Sequence, residues 1–142
     1  MYTYKIKITS VYDGDTVNGT VDLGFNVKMD IKVRLARIDT PELRDKDIKK
    51  KELAYQARDF LRDLVKLYGN ELIIQTTKKG KYGRWIGELY AENMPHSDIY
   101  KNEPEYQTIA NEIKNAMATG QDQTCNINDL MVKQGLAEYK EY

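Results

Sequence analysis

The chain has little of what covalent or soft-metal frameworks require. Its 142 residues include one cysteine and one histidine. Because a lone cysteine cannot form an internal disulfide, we expect Cys125 to be a small, buried or half-buried apolar residue. His96 follows Pro95 and is expected on a loop surface. The absence of a His/Cys cluster in the sequence argues against a zinc site.

Long apolar runs are also missing. No stretch approaches the ~18 apolar residues of a membrane-spanning helix, and no apolar leader follows Met1. We therefore expect a protein without a membrane role, located inside the cell, or secreted if a signal segment has been removed. The length predicts one domain over residues 1–142, able to bury roughly two-thirds of its unfolded surface. We expect it to be a monomer.

The net charge is also zero, but only because two parts of the sequence with opposite net charges cancel. Residues 1–91 contain 18 Lys and Arg against 13 Asp and Glu, whereas residues 92–142 contain 4 against 9. The net charges of the two parts are therefore +5 and −5. An anionic ligand such as nucleic acid would be attracted to the first part.

Five segments show the apolar/polar alternation or short apolar runs of β-strands. They are residues 4–11, 17–23, 27–35, 71–77 and 85–90. Asp13-Gly14-Asp15-Thr16 forms a turn between the first two, and residues 23–26 form a second turn. This order predicts an α+β, mainly β protein: a five-stranded Greek-key barrel of the OB type with about three helices.

Helical spacing of apolar residues predicts three helices. The first covers residues 52–68 and ends at Gly69, and residues 43–51 before it are expected to form a charged loop. A second helix at 104–118 lies inside an insertion at about 95–125, which we expect to be a docked structural element or a protein-binding element. The third covers residues 128–134, with Asn126 or Asn128 as its cap.

The most unusual stretch is residues 33–42, which reads V-R-L-A-R-I-D-T-P-E. The alternation places Arg34 away from the main apolar face, and the pattern shifts after Leu35, as at a bend or bulge. Pro41 ends the strand because it has no N–H to donate. Asp39 and Glu42 are then left at the mouth of the strand, on the side that Arg34 can reach.

Carboxylates and arginines recur at other predicted strand ends, at Asp15 and Arg84. Hard oxygen ligands of this kind suit calcium or magnesium, and a pocket of three carboxylates, one divalent ion and two arginines can hold a phosphodiester. Each residue also has a simpler explanation: Asp15 as a turn residue, and Arg34 and Arg84 as solvated cations.

The motifs taken together resemble the staphylococcal nuclease family. They are D-G-D-T at 13–16, R-L-A-R-I-D-T-P-E at 34–42, K-Y-G-R at 81–84 and N-D-L-M-V-K-Q-G-L-A at 128–137. The resemblance covers residues 4–91 and 126–139 and leaves the insertion outside. It implies a calcium-dependent nuclease that cleaves DNA and RNA, preferring single strands and leaving 3′-phosphate ends.

The resemblance also implies roles for individual residues. Asp15 and Asp39 would bind Ca²⁺ through their carboxylates, and Thr40 through its backbone carbonyl. Glu42 would activate or orient the attacking water. The remaining implied roles are phosphate binding and transition-state stabilisation by Arg34 and Arg84, and substrate contact by Lys81 and Tyr82.

The sequence also departs from the family pattern. Gly80 stands where an Asp often precedes K-Y-G-R, Arg37 stands where an apolar residue is usual, and Tyr139 and Tyr142 are out of register with a substrate-contacting tyrosine. The alternative function is a non-catalytic OB-type module that binds single-stranded nucleic acid. Eleven tyrosines would allow base stacking, but such a module would leave the carboxylates unexplained.

Overall fold

The computed structural model describes residues 2–80, 83–95, 103–119 and 123–141, with the backbone alone at 77, 78 and 119. These residues form a mainly β structure with three helices. The α+β prediction is therefore confirmed. None of the helices in these ranges is both long and apolar enough to span a bilayer.

Five strands form a closed barrel in the order β3-β2-β1-β5-β6. Their bounds are Tyr2–Asp13 for β1, Thr16–Asp22 for β2, Lys28–Leu35 for β3, Glu71–Lys79 for β5 and Trp85–Glu92 for β6. Neighbours in this order pair antiparallel, and a parallel pairing of β3 with β6 closes the ring. The buried core inside it includes Ile6, Val17, Val33, Leu35, Ile74 and Leu89.

Short strands extend this barrel at two places. The strand β4, Ile38–Asp39, pairs with β8, Glu138–Tyr139, to form a separate two-stranded sheet. The strand β7, Thr124–Asn126, pairs with the end of β6 and adds a sixth strand to the main sheet. Cys125 in β7 is buried as predicted, and burial raises the pKa of its thiol to about 11.

The β2–β3 hairpin differs from the sequence prediction. The alternation in residues 27–35 predicted one buried face, and Val33 and Leu35 are fully buried. Val27 and Met29 are instead half exposed, and Phe25 at the turn is fully exposed. The pairing of β3 with β6 covers only residues 33–35, so the earlier part of β3 extends beyond the closed barrel. The alternation predicted the strand, but it did not show where the pairing with β6 ends.

The first helix, α1, covers Ile48–Leu67 and starts earlier than predicted. Asp47 caps it, accepting hydrogen bonds from the backbone N–H groups of Lys49 and Lys50. The predicted loop at residues 43–51 was therefore wrong for residues 48–51. The side chains of these four residues are exposed and show no apolar stripe, so the sequence pattern did not reveal the helix there. Gly69, with φ of 62°, follows the C-cap as predicted.

The second helix, α2, covers Pro104–Thr119 and packs against α1 and β7. Its apolar stripe is buried, with Tyr106, Ile109 and Ile113 each at most 4% exposed. Since β7 pairs with the last residues of β6, this part of the insertion lies at the end of β6 remote from Trp85. The stripe therefore packs on the protein's own surface, as predicted.

Candidate active site

The sheet register brings the predicted site residues together. In the β1–β2 ladder Asp13 faces Thr16, and in the β2–β3 ladder Thr16 faces Arg34. The D-G-D-T turn therefore lies beside the end of β3. The backbone continues this alignment, because Leu35 N–H donates to the carbonyl of Asp15 at 2.8 Å.

The turn approaches its surroundings closely at Gly14. A Cβ atom built there would lie 2.7 Å from Ala57 Cβ and 2.9 Å from Thr40 Cγ2. Only glycine fits without displacing α1 or the loop that contains Thr40. The glycine of D-G-D-T thus lets the turn lie against Thr40, whose N–H donates to Asp15 Oδ2.

Arg34 is the centre of the cluster. Its Nη2 lies 3.2 Å from Asp15 Oδ2 and 3.1 Å from Asp39 Oδ1. Its Nη1 donates to the carbonyls of Leu35 and Ile38 at 3.0 and 3.1 Å. The side chain is 12% exposed, so it is not a solvated strand residue. One guanidinium therefore fixes both carboxylates and the bend between β3 and β4.

Asp15 is buried and is hydrogen-bonded on both carboxylate oxygens. Oδ2 accepts from the N–H of Thr40 at 3.0 Å, and Oδ1 accepts from Thr16 Oγ1 at 3.1 Å. Asp13 accepts from the N–H of Asp15 at 3.1 Å. Burial, together with the neighbouring Asp15 carboxylate, raises the pKa of Asp13 to about 7. The D-G-D-T pattern predicted only a turn role for Asp13, and its place in this acidic pair was missed.

Of the other predicted site residues, Glu42 and Arg84 are among those that the structure describes. Glu42 is exposed, and its carboxylate makes no ion pair or hydrogen bond within the part of the chain that the structure describes. Arg84 is half buried and directly precedes Trp85, which faces Val33 across the seam between β6 and β3. Lys81 and Tyr82 lie outside the described residues.

Arg37 forms a second network behind the site, which the sequence did not reveal. Its Nε contacts Glu88 Oε1, and its Nη2 lies 3.2 Å from Glu88 Oε2 and 2.9 Å from Asp129 Oδ1. These carboxylates raise the pKa of the guanidinium. The guanidinium also lies 5.8 Å from the ring centroid of Tyr139, whose hydroxyl donates to Asp129.

This network ties the site to the last helix, α3, which covers Ile127–Lys133. Asn126 is its cap, with its side chain accepting from Asp129 N–H at 3.0 Å. Asn128, the other predicted cap, is instead fully buried: it accepts from Leu89 N–H and donates to the carbonyls of Ala36 and Gly87. The segment that carries Asp39 is thus bound to α3 from two sides.

The fold and these motifs agree with the comparison to protein families. A family model described as staphylococcal nuclease homologue matches residues 32–142. The chain belongs to this family. A micrococcal nuclease from Shigella flexneri is 27% identical over 140 residues, covering 98% of this chain and 60% of that protein. The chain is therefore a distant relative of micrococcal nuclease that spans about three-fifths of its length.

Staphylococcal nuclease homologues typically use Ca²⁺. In the described ranges, no three His, Cys, Asp or Glu side chains converge into a complete metal cage. Two carboxylates, Asp15 and Asp39, nevertheless contact the same Arg34 nitrogen. Thr40 Oγ1 is buried beside them and has no hydrogen-bond partner among the described residues. These oxygen donors fit a hard cation that retains part of its water shell.

Proposed function

We propose that this staphylococcal nuclease homologue is a calcium-dependent nuclease. It would hydrolyse phosphodiester bonds of DNA and RNA, with single strands preferred, and leave 3′-phosphate ends. The observation that carries the proposal is the position of Arg34, whose guanidinium contacts both Asp15 and Asp39 where β1, β2, β3 and β4 meet. A guanidinium that contacts two carboxylates at this place supports phosphodiester chemistry.

Arg34 and Arg84 would bind the scissile phosphate. A guanidinium presents two parallel N–H groups that match two phosphate oxygens, and it remains charged at every working pH. Arg34 Nη1 donates to the carbonyls of Leu35 and Ile38, which hold the guanidinium in place, while Nη2 contacts Asp15 and Asp39. A cation that takes over these two carboxylates would release Nη2 for the phosphate.

Glu42 would act on the attacking water. Its exposed carboxylate would accept a proton from the water while the water oxygen bonds to phosphorus. The bond from phosphorus to the 5′ oxygen then breaks, and the 5′ oxygen takes up a proton. The products are a 3′-phosphate and a 5′-hydroxyl. Asp15, Asp39 and Thr40 would hold Ca²⁺, which when bound supplies positive charge to the phosphoryl oxygens.

The direct test uses a 5′-labelled single-stranded oligodeoxynucleotide with calcium, and then with excess chelator. We expect cleavage in calcium, loss of cleavage with chelator, and restoration when calcium is added back. The fragments should lose charge on treatment with a 3′-phosphatase, which identifies their ends. A matched double strand and an RNA of the same sequence establish the preference between substrates.

Two results would contradict the proposal. Binding of the oligonucleotide without cleavage in any divalent ion would favour the non-catalytic binding module. Cleavage that yields 5′-phosphate ends would keep a nuclease but overturn the proposed direction of bond breaking.

A further inference from the structure

Lys140 lies beside the candidate active site because its backbone is fixed there. The pairing of β4 with β8 places Ile38 opposite Tyr139 and Asp39 opposite Glu138. Directly after β8, the N–H of Lys140 donates to the carbonyl of Arg37 at 2.8 Å. The Arg37 side chain in turn is bonded to Glu88 and Asp129. The backbone of Lys140 is therefore held in place by the same network that holds β4, the strand that contains Asp39.

The Lys140 side chain approaches Asp39. Its Nζ lies 3.8 Å from Asp39 Oδ2, while Arg34 Nη2 lies 3.1 Å from Oδ1 of the same carboxylate. One carboxylate thus has a cation on each oxygen. The Arg34 side chain is largely buried, whereas those of Lys140 and Asp39 are 55% and 45% exposed. Lys140 is the cation of this pair that can move without leaving a buried charge.

We propose that Lys140 is a further phosphate-binding residue of this site, which contacts Asp39 without metal and binds a substrate phosphate when a cation occupies Asp39. The inference rests on the proposed function. A bound divalent ion would repel the Lys140 ammonium group. The four-carbon stem of lysine is flexible, so the ammonium group can turn toward solvent. Under the proposed function, a substrate phosphate would approach the site from that solvent side.

The charge distribution supports a role in substrate binding. Residues 92–142 contain only four lysines and no arginine, with nine acidic residues. Lys140 is one of these four and lies at the boundary with the basic part of the chain. A cation there would extend positive charge beyond Arg34 along the path of the substrate backbone.

The first test measures the salt dependence of oligonucleotide binding. Lys140→Gln is compared with Lys133→Gln, which removes the same charge from an exposed position on α3. Both are made in a Glu42→Gln background so that cleavage does not consume the ligand. For a single-stranded oligonucleotide in calcium, Lys140→Gln should flatten the slope of log K against log salt by about 0.7, the value for one phosphate contact. Affinity should fall about threefold to tenfold.

The second test measures calcium affinity by calorimetry without nucleic acid. Removing a positive charge about 4 Å from Asp39 should tighten calcium binding by about threefold to fivefold in Lys140→Gln, and the gain should shrink at high salt. Lys133→Gln should leave the calcium affinity at its wild-type value. Lys140→Gln thus shifts the two affinities in opposite directions, which a general loss of stability does not do.

The outcomes separate this inference from the proposed function. If the wild-type protein binds and cleaves DNA but the slope for Lys140→Gln equals that for Lys133→Gln, phosphate binding by Lys140 is wrong. An unchanged calcium affinity would overturn the contact exchange at Asp39. If the wild-type protein neither binds nor cleaves nucleic acid, the proposed function fails, and the phosphate-binding role of Lys140 fails with it.

Discussion

Arg34 and Asp15 form a largely buried ion pair, with Nη2 3.2 Å from Oδ2 and side-chain exposures of 12% and 8%. A buried pair contributes little relative to an apolar pair of the same shape, but breaking it leaves a charge without compensation. In this protein the pair also fixes Thr40, whose N–H donates to the same oxygen of Asp15. The candidate site is therefore part of the folded framework.

Asp15→Asn should destabilise the calcium-free protein. The change removes the countercharge of Arg34 but leaves Asp39 in contact, so we expect a loss of about 3 kcal/mol, the lower end for a broken buried pair. Urea unfolding in chelator measures it. Asp59→Asn is the control, because the Arg58–Asp59 pair is more exposed and its loss should cost at most about 0.5 kcal/mol. Equal losses of stability in the two variants would show that burial does not make the Arg34–Asp15 pair more costly to break.

Asp13→Asn should raise stability in chelator, and more at pH 8 than at pH 5. The folded-state pKa of Asp13 is raised to about 7 from 3.8, so the folded protein binds the extra proton between these values. Stability contributed by this group is present at low pH and is lost as pH rises from about 4 toward 7. Asparagine cannot ionise, so the stability of the variant should not show this loss as pH rises. Identical pH profiles for variant and wild type would contradict the pairing of Asp13 with Asp15.

Glu42→Gln should keep the fold and lose the proposed activity. The carboxylate is exposed and makes no hydrogen bond or ion pair in the described ranges, so thermal stability should change by little. Removing a general base typically slows a reaction at least ~10²-fold. Single-turnover cleavage of the labelled oligonucleotide measures the rate, and Glu138→Gln provides the charge-matched control. Near-normal turnover in Glu42→Gln would exclude Glu42 as the base.

Asn128→Leu should be among the most destabilising single changes in α3. The side chain is fully buried and makes hydrogen bonds to Leu89 N–H and to the carbonyls of Ala36 and Gly87. Leucine has a similar volume but leaves these groups unsatisfied, and we expect a loss of about 3 kcal/mol. Asn126→Ala removes only the helix cap and should cost about 1 kcal/mol. A smaller loss in Asn128→Leu than in Asn126→Ala would contradict the buried role.

The elements that could be predicted from sequence are those whose signal is local. Alternation or short apolar runs identified each barrel strand, and Gly69 marked the end of α1. The strand β4 and its partner β8 are two residues each, too short for any periodic pattern. The exposure of Val27 and Met29 depends on where β6 stops covering β3, which no pattern within residues 27–35 contains.

The same distinction applies to the site. Arg34 and Asp39 lie five positions apart, so a bend after Leu35 is sufficient to predict their meeting. Arg37 and Glu88 are separated by 51 positions, and their contact requires the finished barrel. Arg37 was noted only as a departure from the family pattern, although its positive φ of 66° and its two carboxylate partners make it a structural residue.

Asn128 also has a consequence for the order in which this molecule can form. The ladder between β3 and β6 ends at Leu35 and Gly87, where Ala36 N–H donates to the carbonyl of Gly87. Beyond that point the side-chain amide of Asn128 supplies the groups that a further stretch of strand would supply. A chain emerging during synthesis therefore leaves the N–H of Leu89 and the carbonyl of Ala36 without this side-chain partner until residue 128 has been made.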